Sequence, residues 1–166
     1  MRVLPALALV LAAPSAEAAA PAVWERTGDW VVFSARADEG AFETCFAQKI
    51  YPNGEAVTFF HNGEVSTLAF FLENWQLDAR DRYPVAVQVD QGPPVAATAV
   101  AGEDRKSVAL ELAVSPYLAA WGAGKTLSLD TGAGKLAFNL EGADAAFHSL
   151  AICAAKNLGA DRQAGD

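Results

Sequence analysis

From Trp30 to Leu140 the chain reads as short strand-like runs rich in apolar side chains, and the runs are separated by glycine, proline, asparagine and aspartate. Successive side chains of a strand point to opposite faces, so alternation over runs of this length predicts strands with one sheltered side. Residues 42–50 and 85–90 meet that pattern, and 30–35, 57–60, 65–72, 95–100, 107–114, 125–130 and 135–140 are further strand-like runs bounded by turn residues. In the second run Phe42, Thr44 and Phe46 alternate with Glu43, Cys45 and Ala47, and the Cys45 side is the expected sheltered face. Val85, Val87 and Val89 share a face in the same way. The clearest hairpin signal is His61-Asn62-Gly63-Glu64, where Asn-Gly supplies the positive φ angles of a tight turn. Residues 102–106 and 131–134 are predicted to turn two further pairs. The fold class expected is mainly β, an antiparallel sandwich-like domain of two sheets with a short helix and a C-terminal helix.

Helical signals come late. Ser115-Pro116 places a capping residue before proline at the first helical position, which predicts one to two turns up to Trp121 and a stop at Gly122. The second helix is predicted to start with Asp144 as N-cap, to bury Phe147, Leu150, Ala151 and Ala154, and to end near Asn157 with Gly159 beyond. Residues 159–166 then form an expected flexible tail.

The N-terminus carries Arg2, an apolar run over residues 3–13 and a series of small residues, the pattern of a secretory leader. Cleavage after Ala16-Glu17-Ala18 would remove 1–18 and leave one β-rich domain over 19–158, in the periplasm or outside the cell. The run is too short for a hydrocarbon core that takes about 20 helical residues to cross, and no stable membrane span is expected. Export also sets how Cys45 and Cys153 are read. In an oxidising compartment an even pair predicts one bridge, with two buried thiols as the alternative.

Of the 166 residues 52% are hydrophobic, but 36 are alanine, so the core rests on nine Phe, four Trp, three Tyr and the branched aliphatics. The formal charge of −8 repels phosphate backbones and anionic lipid, which disfavours nucleic acid as a partner.

The motifs that could carry chemistry are weak. Gly122-Ala123-Gly124-Lys125-Thr126 has the ending of a phosphate-binding loop, but Ala119 stands where the motif needs glycine and a strand follows where it needs a helix. Asp130-Thr131-Gly132 matches the aspartic-protease turn, yet that chemistry needs two carboxylates sharing a proton and hence a symmetric dimer. The plain reading is a hairpin turn. His61 reads as an exposed turn residue at a hairpin tip and His148 as a solvent-side or partly buried helix residue. No nucleophile elbow and no metal-ligand cluster appears, so no catalytic, cofactor or metal residue is assigned. Interfaces favour aromatic and arginine side chains, which points to Phe59, Phe60 and His61 beside the 61–64 turn and to Trp75, Arg80, Arg82 and Tyr83 in the polar segment 73–83 (ENWQLDARDRY). The alternative for that segment is a cap, with Trp75 and Tyr83 on the core and the charges paired in water.

Gly28-Asp29-Trp30-Val31-Val32 followed by Cys45, and the C-terminal series Tyr117-Leu118, Gly124-Lys125-Thr126, Phe138-Asn139-Leu140-Glu141-Gly142 and Ala146-Phe147-His148-Ser149-Leu150, resemble the invasion-associated locus B family of exported alphaproteobacterial proteins. The chain departs from that family by lacking a cysteine pair in the central strands, by placing Cys153 in the closing helix and by its segment 73–83. The resemblance implies a secreted or periplasmic sandwich-like domain, linked in pathogens to host-cell entry, with no catalytic residues to carry over. The function expected is a non-catalytic binding protein whose partner is an envelope or host protein. A periplasmic inhibitor of a lytic enzyme or protease is the second expectation, and a dimeric aspartic protease using Asp130 the third.

Overall fold

The computed structural model describes residues 20–37, 41–112 and 121–164, without the side chains of 162–164. The predicted leader and all but the end of the predicted short helix lie outside these residues. Among the described residues ten strands are formed: β1 (Ala22–Thr27), β2 (Trp30–Arg36), β3 (Phe42–Ile50), β4 (Ala56–His61), β5 (Ser66–Phe71), β6 (Arg82–Val89), β7 (Val95–Ala101), β8 (Ser107–Leu112), β9 (Thr126–Asp130) and β10 (Lys135–Asn139), followed by helix α1 (Ala143–Ala164). The protein is mainly β, as the alternation predicts.

The strands form one antiparallel sheet in the order β1-β2-β3-β4-β5-β8-β7-β6-β9-β10. The expected two layers are therefore parts of a single sheet. Phe70 on β5 lies 5.2 Å from Phe138 on β10, although β8, β7, β6 and β9 stand between them in the sheet. That contact requires the sheet to curl until its inward rows share one core, in keeping with the right-handed twist of strands. Trp30, Val32, Cys45, Ala47, Phe59, Leu68, Leu110, Val87, Leu129 and Phe138 all belong to this core. Pro84 is accommodated in β6 because its row pairs only with Thr98 of β7, while β9 joins further along at Ala86.

Helix α1 closes the core. Its buried residues Ala146, Phe147, Leu150, Cys153, Ala154 and Asn157 recur at helical spacing, and Phe147 sits 5.9 Å from Trp30 and 4.4 Å from Phe59. Burying a side chain such as Phe147 or Leu150 stabilises by about 1.5–3 kcal/mol. Cys153 is bonded to Cys45 of β3, closing a sequence separation of 108. Among the described residues no helix is long and apolar enough to cross a membrane.

Four expectations are corrected. β1 lacks the alternation that would have announced it, because all of its side chains but Thr27 are exposed. Helix α1 begins at Ala143, one residue before the predicted cap, and runs through Gly159 to Ala164 where a tail was expected. Tertiary contacts override the glycine, whose cost in a helix is about 1 kcal/mol: Asp161 accepts the Phe42 N–H at 2.6 Å and pairs with Arg36 at 3.6 Å. In the β4–β5 turn only Gly63 takes a positive φ. Asn62 acts through its side chain instead, its Oδ1 accepting from the N–H of Glu64 and of Val65 at 3.0 and 2.8 Å. His61 is not at an exposed tip. It lies on β4, half-buried, paired with Cys45 on the inward face.

Candidate functional site

The candidate residues do not form one cluster. Phe60 and His61 end β4 beside the turn into β5, while segment 72–81 leaves the far end of β5. The six residues of β5 separate them, about 20 Å at the usual rise per residue. No single patch joins Phe60 and His61 to Trp75.

Segment 72–81 is fastened to the turn between β7 and β8. Leu72 N–H donates to Lys106 C=O and Leu77 N–H to Arg105 C=O, each at 2.9 Å, and Arg80 N–H donates to Ala101 C=O at 3.1 Å. Arg80 pairs with Glu103, Arg105 with Asp78 and Lys106 with Glu73. Trp75 and Tyr83 are half-buried against the core, and the Tyr83 hydroxyl accepts the Asp78 N–H at 3.2 Å. Exposed pairs of this kind contribute about 0–1 kcal/mol each, so the apolar packing of the two aromatic rings holds the segment. Arg82 lies apart, in a 360 Å³ depression on the outer face with Thr67, Thr98 and Glu111.

His61 has a specific environment. Its Nδ1 is 3.1 Å from Ser66 Oγ, and burial holds its pKa below the ordinary imidazole value against the opposing hydrogen bond with the Val65 backbone. Beside it, Asn157 braces the disulfide: its Nδ2 donates to Cys153 C=O at 2.9 Å and lies 3.9 and 3.7 Å from the two Sγ atoms, while its Oδ1 accepts from Arg36 at 2.8 Å. His148 is exposed on α1.

The feature that sequence reasoning missed is on the outside of the sheet. The register aligns Val23, Phe33, Phe46, Phe60, Thr67 and Glu111 in one row across β1, β2, β3, β4, β5 and β8. The rings of Phe33 and Phe46 stack at 4.8 Å, and those of Phe46 and Phe60 lie 5.2 Å apart. All three are half-buried and face away from the core. Phe59, by contrast, is a core residue at 1% exposure. The signal was present in the run Trp30-Val31-Val32-Phe33, where both alternating sets are apolar, so a sheltered face alone cannot account for the pattern.

Two rows of large outward residues flank a groove of 380 Å³. Phe60 belongs to one row; Ile50 and Phe71 belong to the other, which runs Ile50, Ala56, Phe71, Ser107. Between them the row of Gln48, Thr58 and Ala69 forms a floor of smaller side chains. Gln48 Nε2 donates to Thr58 Oγ1 at 3.1 Å. Asp104 lines the groove beside Ser107.

A second cavity, of 620 Å³, lies against Gly122, Gly124, Lys125, Asn139 and Gly142. It adjoins the segment that resembles a phosphate loop, but a strand follows it at Thr126. The N–H groups of Lys125 and Thr126 are already taken by the carboxylate of Asp90, at 3.1 and 2.9 Å. Asp130 is likewise committed locally. Its Oδ1 accepts the Gly132 N–H at 2.9 Å, and Thr131 N–H donates to Gly134 C=O to close the β9–β10 hairpin.

No family model matches the chain, and no curated protein matches it significantly. Among solved structures, the crystal structure of invasion associated protein B from Bartonella henselae is similar, with 20% identity over 77% of this chain and 95% of that one and a TM-score of 0.52. The two share a fold.

Proposed function

We propose that this chain is an exported, non-catalytic protein of the bacterial envelope that works by binding another protein through the outer face of β2–β5. The observation that carries this reading is the contiguous outward row of Phe33, Phe46 and Phe60. Aromatic rings on the outward side of a sheet lose favourable burial wherever they meet water, and contiguous apolar patches on soluble proteins mark interaction surfaces. A disulfide is what oxidising compartments permit, which supports export together with the leader pattern of residues 1–18. The shared fold with invasion associated protein B is compatible with work at the cell envelope.

The non-catalytic reading is supported by where the reactive groups are spent. Asp130 caps its own turn, and Asp90 fills the backbone site that a phosphate would need. An acid-pH peptidase assay on wild type and Asp130→Asn therefore returns no activity that the substitution removes. Binding is tested by co-purification from native envelope with wild type and Phe46→Ser, with thermal unfolding as the control. A folded variant that loses a captured protein supports the reading; capture of the same proteins by both overturns it.

A further inference from the structure

The groove beside the aromatic row has walls and a floor of different chemistry from its end. The register explains its shape. Side chains two residues apart on a strand share a face about 6.7 Å apart, so the small floor row of Thr58 and Ala69 lies between the row containing Phe60 and the row containing Ile50 and Phe71. Ile50 is 64% exposed, the most of any large apolar side chain among the described residues. Asp104 contributes a carboxylate at the Ser107 side. Its Oδ1 accepts from the Lys106 N–H at 3.0 Å, the Ser107 N–H at 2.9 Å and the Ser107 hydroxyl at 2.8 Å, and Oδ2 makes no hydrogen bond to a described residue. Partial burial would raise the Asp104 pKa, but these donors and the charge of Lys106 outweigh it and hold the group below the ordinary carboxylate value. The carboxylate is thus fixed and ionised, with one oxygen open.

We infer that this groove receives a partner polypeptide segment presenting an apolar side chain next to a lysine or arginine, the apolar group against Ile50, Phe60 and Phe71 and the cation at Asp104. Charge complementarity selects this occupant. The groove ends in a carboxylate, and the whole chain, at −8, attracts cationic partners before contact. A volume of 380 Å³ holds one or two side chains and fixes the scale of the contact. This inference rests on the binding reading above and names the partner's chemistry.

The test is an NMR titration of the ¹⁵N-labelled protein with capped peptides of sequence Gly-Ser-Leu-Lys-Ser-Gly, the same with Glu for Lys, and the same with Gly for Leu. The first is expected to shift the amides of Ile50, Ala69 and Phe71, and both substituted peptides to bind at least about tenfold more weakly. Asp104→Asn keeps the Oδ1 acceptor and so keeps the turn, and it should weaken the first peptide by a similar factor; raising salt should do the same. Ala69→Leu fills the floor and should abolish the shifts. Equal binding of the Glu peptide, or no shifts in these amides with any peptide, overturns the inference. So do the same shifts on concentrating the protein alone, which would assign the groove to a second copy. If envelope capture stays dependent on Phe46 while the peptides fail, the binding reading stands and only the partner's chemistry falls.

Discussion

The indole N–H of Trp30 donates to the backbone carbonyl of Glu141 at 2.9 Å, joining the start of β2 to the chain just beyond β10. The same carbonyl accepts from Lys49 Nζ at 3.3 Å. Trp30 has no exposed surface, so its N–H needs a partner inside the fold, and the 139–142 segment must bend to supply one. Gly142 makes that bend at a φ of +82°, with space for a Cβ only 3.3 Å from Trp30 Cδ1.

Gly142→Ala should therefore destabilise the protein. A left-handed backbone costs an L-residue about 1–2 kcal/mol, and the added methyl crowds the indole. Urea unfolding should show a lowered midpoint with an unchanged slope, the shift times the slope matching that free-energy loss, and unaltered stability would contradict a role for this joint.

The bridge between Cys45 and Cys153 ties α1 to β3. Closing a loop of this length stabilises by up to about 4.7 kcal/mol through the unfolded chain, and by 2–4 kcal/mol in typical cases. The double Cys→Ala variant should unfold at correspondingly lower urea. Because Asn157 donates to the Cys153 carbonyl beside the bridge, hydrogen exchange should quicken first in the C-terminal half of α1 and not at Phe147.

His61 imposes acid sensitivity. Its folded pKa lies below its unfolded value of 6.5 because burial disfavours the cation. The unfolded chain therefore binds the proton first as pH falls, and stability is lost from about pH 6.5 down to the folded pKa, below which the loss is constant. His61→Gln should flatten that part of a stability-versus-pH curve. Asp104, with its folded pKa lowered below 3.8, adds a separate loss beneath that value. A variant curve parallel to wild type between pH 7.5 and 5 would contradict the assignment.

Where strands carry one buried face, the sequence predicts them closely: the run 42–50 coincides with β3, and its Cys45 side is the buried one. β1 escapes notice because Ala22-Val23-Trp24-Glu25-Arg26 is exposed and pairs only at one edge. The end of α1 is misread because Gly159 is a local stop signal, whereas Asp161 is held by Phe42 and Arg36, remote in sequence. For the candidate surface, Phe60 is recognisable beside a turn, but its partners are not. That Phe33, Phe46 and Phe60 form one row depends on the register of three strands, and two different loops set that register. The curl of the sheet is equally hidden, since it rests on contacts such as Phe70 with Phe138.

Site-specific photo-crosslinking tests the outer face most directly. A benzoylphenylalanine at position 50, in the groove wall, and one at position 148, on the exposed side of α1, are compared in native envelope. Binding through the outer face should give a discrete protein adduct from position 50 that disappears with Phe46→Ser, and none from position 148. An adduct confined to position 148, or one from position 50 that is indifferent to Phe46, would contradict it.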